Sequence, residues 1–400
     1  VNIIETKQNW LQLTAIQAGG VICLPIFLIG HALANNYGAL SAVAAILVGN
    51  LLLLVMGAIM AWSAACSRKS TAEMSVEIFG NLGRYLFASA MVASMMGWFA
   101  IQLNLMTLGI QEVFEGVPST VCNLCLGMAV TIAGITGMKG LERIVNWSMP
   151  LLLLTILYAL FQKGDATHSS MGAEILTFQG VSLVLAAAIA AVVDLPTFFR
   201  LSRSPKDGLI ASCVLFGLVL PLLEGVGVYL FANQADENFV RVLASADSPL
   251  IWKGWVFAFI VFAGWTTNQA NLYSAAVSME TICPRSEKNV QILTLGICGA
   301  LLSCLNVLDH LVGILDMIGI LLGSMGAVLI VHCLLRDRSE KRGNLLAWMA
   351  GIAAGSISQM GYAFTGIPVV DAFFCALLGM GVVVLLSMYQ REDIENESTV

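Results

Sequence analysis

Apolar residues fall in long blocks along almost the whole chain, separated by short polar stretches. Blocks of about twenty residues match the helix length that crosses a bilayer. Twelve such blocks predict spans over 11–34, 40–62, 85–111, 119–138, 144–162, 179–199, 208–232, 250–279, 289–307, 310–334, 344–363 and 367–389. The expected class is an all-α membrane protein. The first block is too long for a cleavable leader and reads as the first span.

Helix breakers interrupt two of these blocks. Gly19-Gly20 and Pro25 fall in the first, and Asp194-Leu195-Pro196 in the sixth. Glycine loosens a helix, and proline removes a backbone donor while crowding the preceding turn. The breaks lie five spans apart. That spacing predicts two five-helix repeats, residues 11–162 and 179–334, each opening with a broken helix. Five is odd, so the second repeat is inverted. Residues 344–389 then form two additional helices, and 1–10 and 390–400 are tails.

The eighth block is the most informative. Thr266, Thr267, Asn268, Gln269 and Asn271 interrupt the run FAFIVFAGWTTNQANLY. Hydrocarbon offers such groups no partner, so they must face protein, water or an ion. A broken first helix frees carbonyl oxygens near Gly19 and Ile22, one turn apart. The carbonyl of Ala263 lies one turn before Thr266 and can aim past its hydroxyl. These carbonyls and the two threonine hydroxyls form a set of neutral oxygens suited to Na⁺, whereas a divalent ion calls for carboxylates. The competing reading is that both hydroxyls bond back to carbonyls of their own helix and pack it against a neighbour.

Composition narrows the class. The 400 residues are 58% hydrophobic and 11% charged, and mean hydropathy is +0.86. Soluble domains carry about a quarter charged residues. No basic cluster points to nucleic acid. Sixteen of the 19 basic residues fall in the tails and in alternate loops on one side. Lys163, Arg241 and Lys253 fall on the other. The bias predicts a cell-membrane protein, bacterial inner membrane by type, with both termini cytoplasmic. The ten cysteines are mostly isolated in apolar runs, as small packing groups. Cys122 and Cys125 form a C-x-x-C without further ligands nearby for a metal.

Trp265-Thr266-Thr267-Asn268 with Leu272-Tyr273, Gly97-Trp98-Phe99, Gly49-Asn50-Leu51-Leu52-Leu53 and Phe198-Phe199-Arg200-Leu201-Ser202-Arg203 together resemble bacterial cytosine permeases of the nucleobase:cation symporter family. The resemblance runs over nearly the whole chain and is specific in spans two, three, six and eight. It implies a five-plus-five inverted repeat and symport of a small heterocycle with Na⁺. It also implies that Gly19, Ile22, Ala263, Thr266 and Thr267 stand where that family binds sodium, and that Trp98 stacks on the substrate.

The residues support a substrate site in their own right. The indole of Trp98 offers a flat face to a ring. Gln102 follows one turn later, and its amide can read the edge of a heterocycle. Asn271, or Asn268, would add a second amide. The chain departs from the cytosine permeases at Met95, Ala187, Ala188 and Ala263, where they carry polar or aromatic groups. The expected solute is therefore a bulkier or less polar relative of cytosine: a substituted pyrimidine, purine, hydantoin or vitamin precursor.

Ionisable groups inside a membrane are functional candidates. Asp194 is placed to pair with a substrate amine, take up a proton, or cap a second half-helix at Pro196. Glu224 is a candidate for proton coupling or a buried hydrogen bond. His31 is expected at the outer surface in solvent. Asp309 and His310 are expected to be exposed, and Asp316 embedded. The leading expectation is a cation-coupled importer without a cofactor beyond its coupling ion, Na⁺ or H⁺. The alternative is a proton-coupled transporter of an amino acid or amine on the same fold. An intramembrane enzyme would need a nucleophile–base pair or a metal cluster, and a channel would need charged rings. The sequence shows neither.

Overall fold

The computed structural model describes residues 7–161, 176–233, 249–305, 307–335, 340–362 and 364–398. Lys163, Arg241, Arg336, Arg338 and the outermost residues of both tails lie outside these, as does the expected end of the fifth span at 162. The described chain is helical throughout. Its elements are α1 (Trp10–Val21), α2 (Leu24–Tyr37), α3 (Ala39–Ser67), α4 (Thr71–Val113), α5 (Ser119–Gly134), α6 (Gly137–Phe161) and α7 (Phe178–Phe199). Next come α8 (Pro205–Val214), a π-helical turn (Leu215–Val219) and α9 (Leu220–Asn233), followed by α10 (Leu250–Ile282) and α11 (Lys288–Leu302). A 3₁₀ turn (Val307–His310) leads into α12 (Leu311–Leu335), α13 (Lys341–Gln359) and α14 (Pro368–Ser398).

Each of the twelve expected spans coincides with one helix or a joined set. Among the described residues eight helices are long and apolar enough to cross a membrane, or nine if α1 and α2 count as one bent span. The other three expected spans correspond to α5, α11 and α13. The first two are apolar but short, with 16 and 15 residues, and α13 is less apolar. In α4 a kink at Gly80 (φ 70°) separates a leading segment from the span proper. That segment begins with a capping box, Ser70 and Glu73 each satisfying the other's backbone N–H.

The first break is present. Helix α1 ends at Val21, Ile22 and Cys23 leave helical geometry, and α2 restarts at an angle of 65°. The cause is local. Pro25 has no N–H to offer the carbonyl of Val21, which instead accepts from Cys23 N at 2.9 Å. Cys23 N is thereby taken from Gly19 O, and Ile26 N turns to Cys23 O at 3.2 Å, away from Ile22 O.

The second expected break is absent. Helix α7 runs unbroken through Asp194-Leu195-Pro196 to Phe199. Pro196 lies three residues from the helix end, so little helix remains beyond it to be reoriented. In the turn it disturbs, the carbonyl of Val193 accepts from the hydroxyl of Thr71 at 2.9 Å. The neighbouring helix thus adds a bond next to Val192, the residue whose carbonyl Pro196 leaves without its helical N–H.

Small residues let the elements approach closely. A Cβ placed on Gly30 would lie 1.8 Å from the carbonyl oxygen of Glu224, and one on Gly227 would lie 2.1 Å from that of Phe27. So α2 and α9 pack backbone to backbone. Contrary to expectation, His31 is buried, because this contact covers the face next to it. Beside the contact, Glu224 accepts from Asn50 Nδ2 of α3 at 2.5 Å. Elsewhere Asn104 of α4 and Asn123 of α5 both donate to Ser303 O just past α11, at 2.8 and 2.9 Å.

Gly30→Ala is expected to destabilise the protein by about 3 kcal/mol or more, since backbone and not a flexible side chain must move. Gly225→Ala, where a Cβ meets nothing within 4 Å, should leave thermal stability unchanged or slightly raised. Melting curves of the two purified variants check this pair.

Candidate functional site

Beside the break in the first helix lies a cavity walled by α1, α2, α4, α7, α9 and α10. Each wall follows from a local feature. The bend between α1 and α2 opens the backbone there. Span three of α4 carries Trp98 into the wall, α7 carries Asp194, and α10 carries Thr267 and Asn271. Met95, Ala187 and Ala188, the positions where the chain departs from cytosine permeases, also line it. One side of the cavity is accordingly small and apolar.

At the break, Thr267 Oγ1 lies 3.4 Å from Gly19 O and donates to Ala263 O at 3.0 Å. Thr266 Oγ1 lies 3.0 Å from Phe262 O and 3.1 Å from Ala263 O. A Cβ on Gly19 would sit 3.6 Å from Thr266 Cβ and 2.8 Å from Val145 Cγ2. The missing side chain at Gly19 is therefore what admits Val145 of α6 so close, while a Cβ there would only touch α10 at ordinary contact distance. Ile22 is buried at the same break, with its carbonyl released from the helical pattern. The structure thus brings Gly19, Ala263, Thr266 and Thr267 together, with Ile22 one turn away. Both hydroxyls do bond back along their own helix. A hydroxyl that donates its proton keeps lone pairs on oxygen, so back-bonding and coordination of a cation are compatible. The oxygens brought together here are carbonyls and hydroxyls and so are neutral, and among the described residues no three His, Cys, Asp or Glu side chains cluster as metal ligands.

The expected substrate residues divide. Trp98, Asp194 and Asn271 line the cavity. Gln102 does not. It is fully buried, and neither its Nε2 nor its Oε1 has a partner among the described residues. One helical turn moves a side chain about 6 Å along the axis, which carries it past the cavity. Asn268 is also off the cavity and fully buried. Its Nδ2 donates to Phe99 O at 3.2 Å, joining α10 to α4, and its Oδ1 lies 3.5 Å from Asn271 Nδ2. Asp194 caps no second half-helix, since α7 is continuous. Its Oδ2 instead accepts from the Ser274 hydroxyl across the α7–α10 contact.

Two features escaped the sequence reading. Gln17, an amide in an apolar helix two residues before Gly19, lines the cavity; its position beside the breakers was the available signal. The second is a seal at one end of the molecule. Gln8 N donates to Leu201 O at 2.8 Å and Arg203 N to Gln8 O at 2.6 Å. The Gln8 side chain meets Glu142. Arg68 donates to the carbonyls of Arg200 and Ser202, and Arg200 lies 3.4 Å from both Glu73 and the Tyr273 hydroxyl. The segment before α1 is thus stitched to the turn after α7. Cys122 and Cys125 are both free thiols. Asp309 and His310 are exposed as expected, and Asp316 is half-buried.

No family model matches the sequence, and no curated protein matches it either. Solved structures do. The chain is similar to Mhp1, described as a nucleobase-cation-symport-1 family transporter, in a closed conformation with bromovinylhydantoin bound. The TM-score is 0.74 at 18% identity, over 96% of each chain. It is similar to a Na⁺-coupled sialic acid symporter in a substrate-bound outward-open state, with TM-score 0.73 at 13% identity over 96% of this chain and 91% of that one. It also matches inward-facing Mhp1, with TM-score 0.71 at 15% identity over 98% and 94%. The chain shares the fold of these proteins. The fold expected from the cytosine-permease resemblance is the fold found.

Asn268→Leu is expected to lower stability by about 1 kcal/mol through the lost interhelical bond while leaving ligand affinity nearly unchanged. Asn271→Leu should do the reverse. Melting temperatures with and without a saturating ligand separate the two.

Proposed function

We propose that the chain is a secondary active transporter that imports a nucleobase or related small heterocycle by alternating access, coupled to Na⁺. The observation that carries this reading is the meeting of Gly19 O, Ala263 O and the hydroxyls of Thr266 and Thr267 at a broken helix, beside a cavity that also holds Trp98. In this reading Gly19, Ile22, Ala263, Thr266 and Thr267 bind the cation. Trp98 stacks on the ring, Asn271 and Asp194 read its edge, and Gln102 and Asn268 support the wall from behind. Neutral oxygens favour a monovalent ion. Mhp1 with its hydantoin and the sialic acid symporter with its Na⁺ coupling support a heterocycle and sodium, respectively.

Coupling requires that the ion bind one conformation better than another. The cation would bridge α1 and α10, so its affinity changes when the two helices separate. The seal between Gln8 and the 200–204 turn lies at the face where the basic loops cluster. Its position supports a cytoplasmic amino-terminal segment and a state closed on that side. The pseudo-symmetric halves 11–162 and 179–334 would rock against each other about the site.

The second reading, proton coupling, draws on two carboxyl groups buried inside spans, Asp194 and Glu224. It predicts uptake driven by a pH gradient and indifferent to Na⁺.

Uptake into proteoliposomes decides between them. An inward Na⁺ gradient is expected to raise initial uptake of the solute tenfold or so, and Thr267→Ala should abolish that stimulation. Uptake that ignores Na⁺ and follows a pH gradient would replace the first reading with the second.

A further inference from the structure

The cavity beside the helix break holds one ionisable side chain of consequence for a solute. Among its described lining residues Asp194 is the lone acid, and no Lys, Arg or His accompanies it. Asp194 is 7% exposed. Ser274 donates to its Oδ2, which fixes the carboxyl group from the α10 side. Its Oδ1 is buried and makes no well-formed hydrogen bond among the described residues, with the Thr197 hydroxyl one turn on lying close to the carboxyl group. A buried carboxyl oxygen left without a donor is a costly arrangement unless something supplies one. The remaining polar groups of the lining, Gln17, Asn271 and the hydroxyl of Thr267, are neutral and offer acceptors as well as donors. No described side chain in the wall carries a positive charge to neutralise a carboxylate on a ligand.

We propose that Asp194 sets the specificity of this cavity, its Oδ1 accepting an N–H from an amine or ammonium substituent of a flat heterocycle, so that rings bearing an amine are taken and rings bearing a carboxylate are refused. The proposal rests on reading the cavity as a solute site. It narrows that reading from heterocycles in general to those with a donor edge. Trp98 holds the ring by its face, and this contact is indifferent to the substituent. Discrimination falls to Asp194. A donor aimed at Oδ1 makes a hydrogen bond to a charged or strongly polar acceptor, which is among the stronger kinds. An anion in the same place meets an acceptor carboxyl group inside a low-dielectric wall with no counter-cation from a protein side chain. Ser274 is a positioning residue here, since it touches the carboxyl group and is absent from the lining.

The test uses the purified full-length chain in sodium buffer and three ligands that share one ring: an aminopyrimidine, the matching methylpyrimidine and the matching pyrimidine carboxylate. Binding is read by thermal shift across a concentration series. The aminopyrimidine is expected to bind about tenfold or more tightly than the methyl compound, and the carboxylate to give no shift. Asp194→Asn should remove the preference for the amine while leaving methylpyrimidine binding in place. Ser274→Ala, a milder change, should weaken amine binding alone. If the carboxylate binds as well as the amine, or if Asp194→Asn binds all three rings as the wild type does, Asp194 sets no specificity, although a ring site would stand. If none of the three rings binds while Na⁺ still shifts the melting temperature, the heterocycle reading itself fails and this proposal falls with it.

Discussion

A backbone carbonyl in the middle of a bilayer has to be given a partner, because the surrounding hydrocarbon supplies none. The break at Ile22–Cys23 releases the carbonyls of Gly19 and Ile22 from their helix. The rest of the site is arranged around that constraint. Gly19 lacks a side chain, so Val145 of α6 packs directly against the break, and Thr267 of α10 comes to 3.4 Å from the freed oxygen. The Ala263 carbonyl, one turn earlier on α10, accepts from the same hydroxyl. The cavity opens at the same bend, so under the proposed function ion and solute would share one structural cause.

Much of this was legible in the sequence because it depended on local chemistry. Pro25 and Gly19-Gly20 foretold the bend, since a missing donor and a missing side chain act on the nearest turn regardless of tertiary context. The polar run from Thr266 to Asn271 foretold a buried face on α10. What proved illegible depended on where an element ends and what lies beside it. Pro196 carries the same local penalty as Pro25, yet α7 stays helical. It is near the helix end, and Thr71, distant in sequence, serves the disturbed turn. Periodicity put Gln102 on the Trp98 face, but a single turn separates lining the cavity from lying behind it. His31 read as solvated because sequence could not show that Gly30 and Gly227 bring two backbones together beside it. Gln17 was visible as an amide next to the breakers, though only its place in the cavity wall gives it meaning.

The cavity combines two kinds of surface. Met95, Ala187 and Ala188 give it an apolar side, where cytosine permeases carry polar or aromatic groups. Gln17, Asn271 and Asp194 give it a polar one. A ring held by Trp98 would meet both. The fold shared with Mhp1 and the sialic acid symporter sets where such a cavity forms, and the side chains decide what enters it. The seal of Gln8, Arg68 and Arg200 lies apart from the cavity on neighbouring helices. In the proposed transport cycle, helix movements that open the site on this side would have to break those bonds.

The most direct measurement is saturable binding of radiolabelled Na⁺ to the purified protein, compared with Thr266→Ala and Thr267→Ala. Binding that saturates in the wild type, is displaced by unlabelled Na⁺ and not by K⁺, and is lost in both variants is the result expected if freed carbonyls and paired hydroxyls make the ion site. Binding that never saturates, or that survives unchanged in both variants, would contradict it.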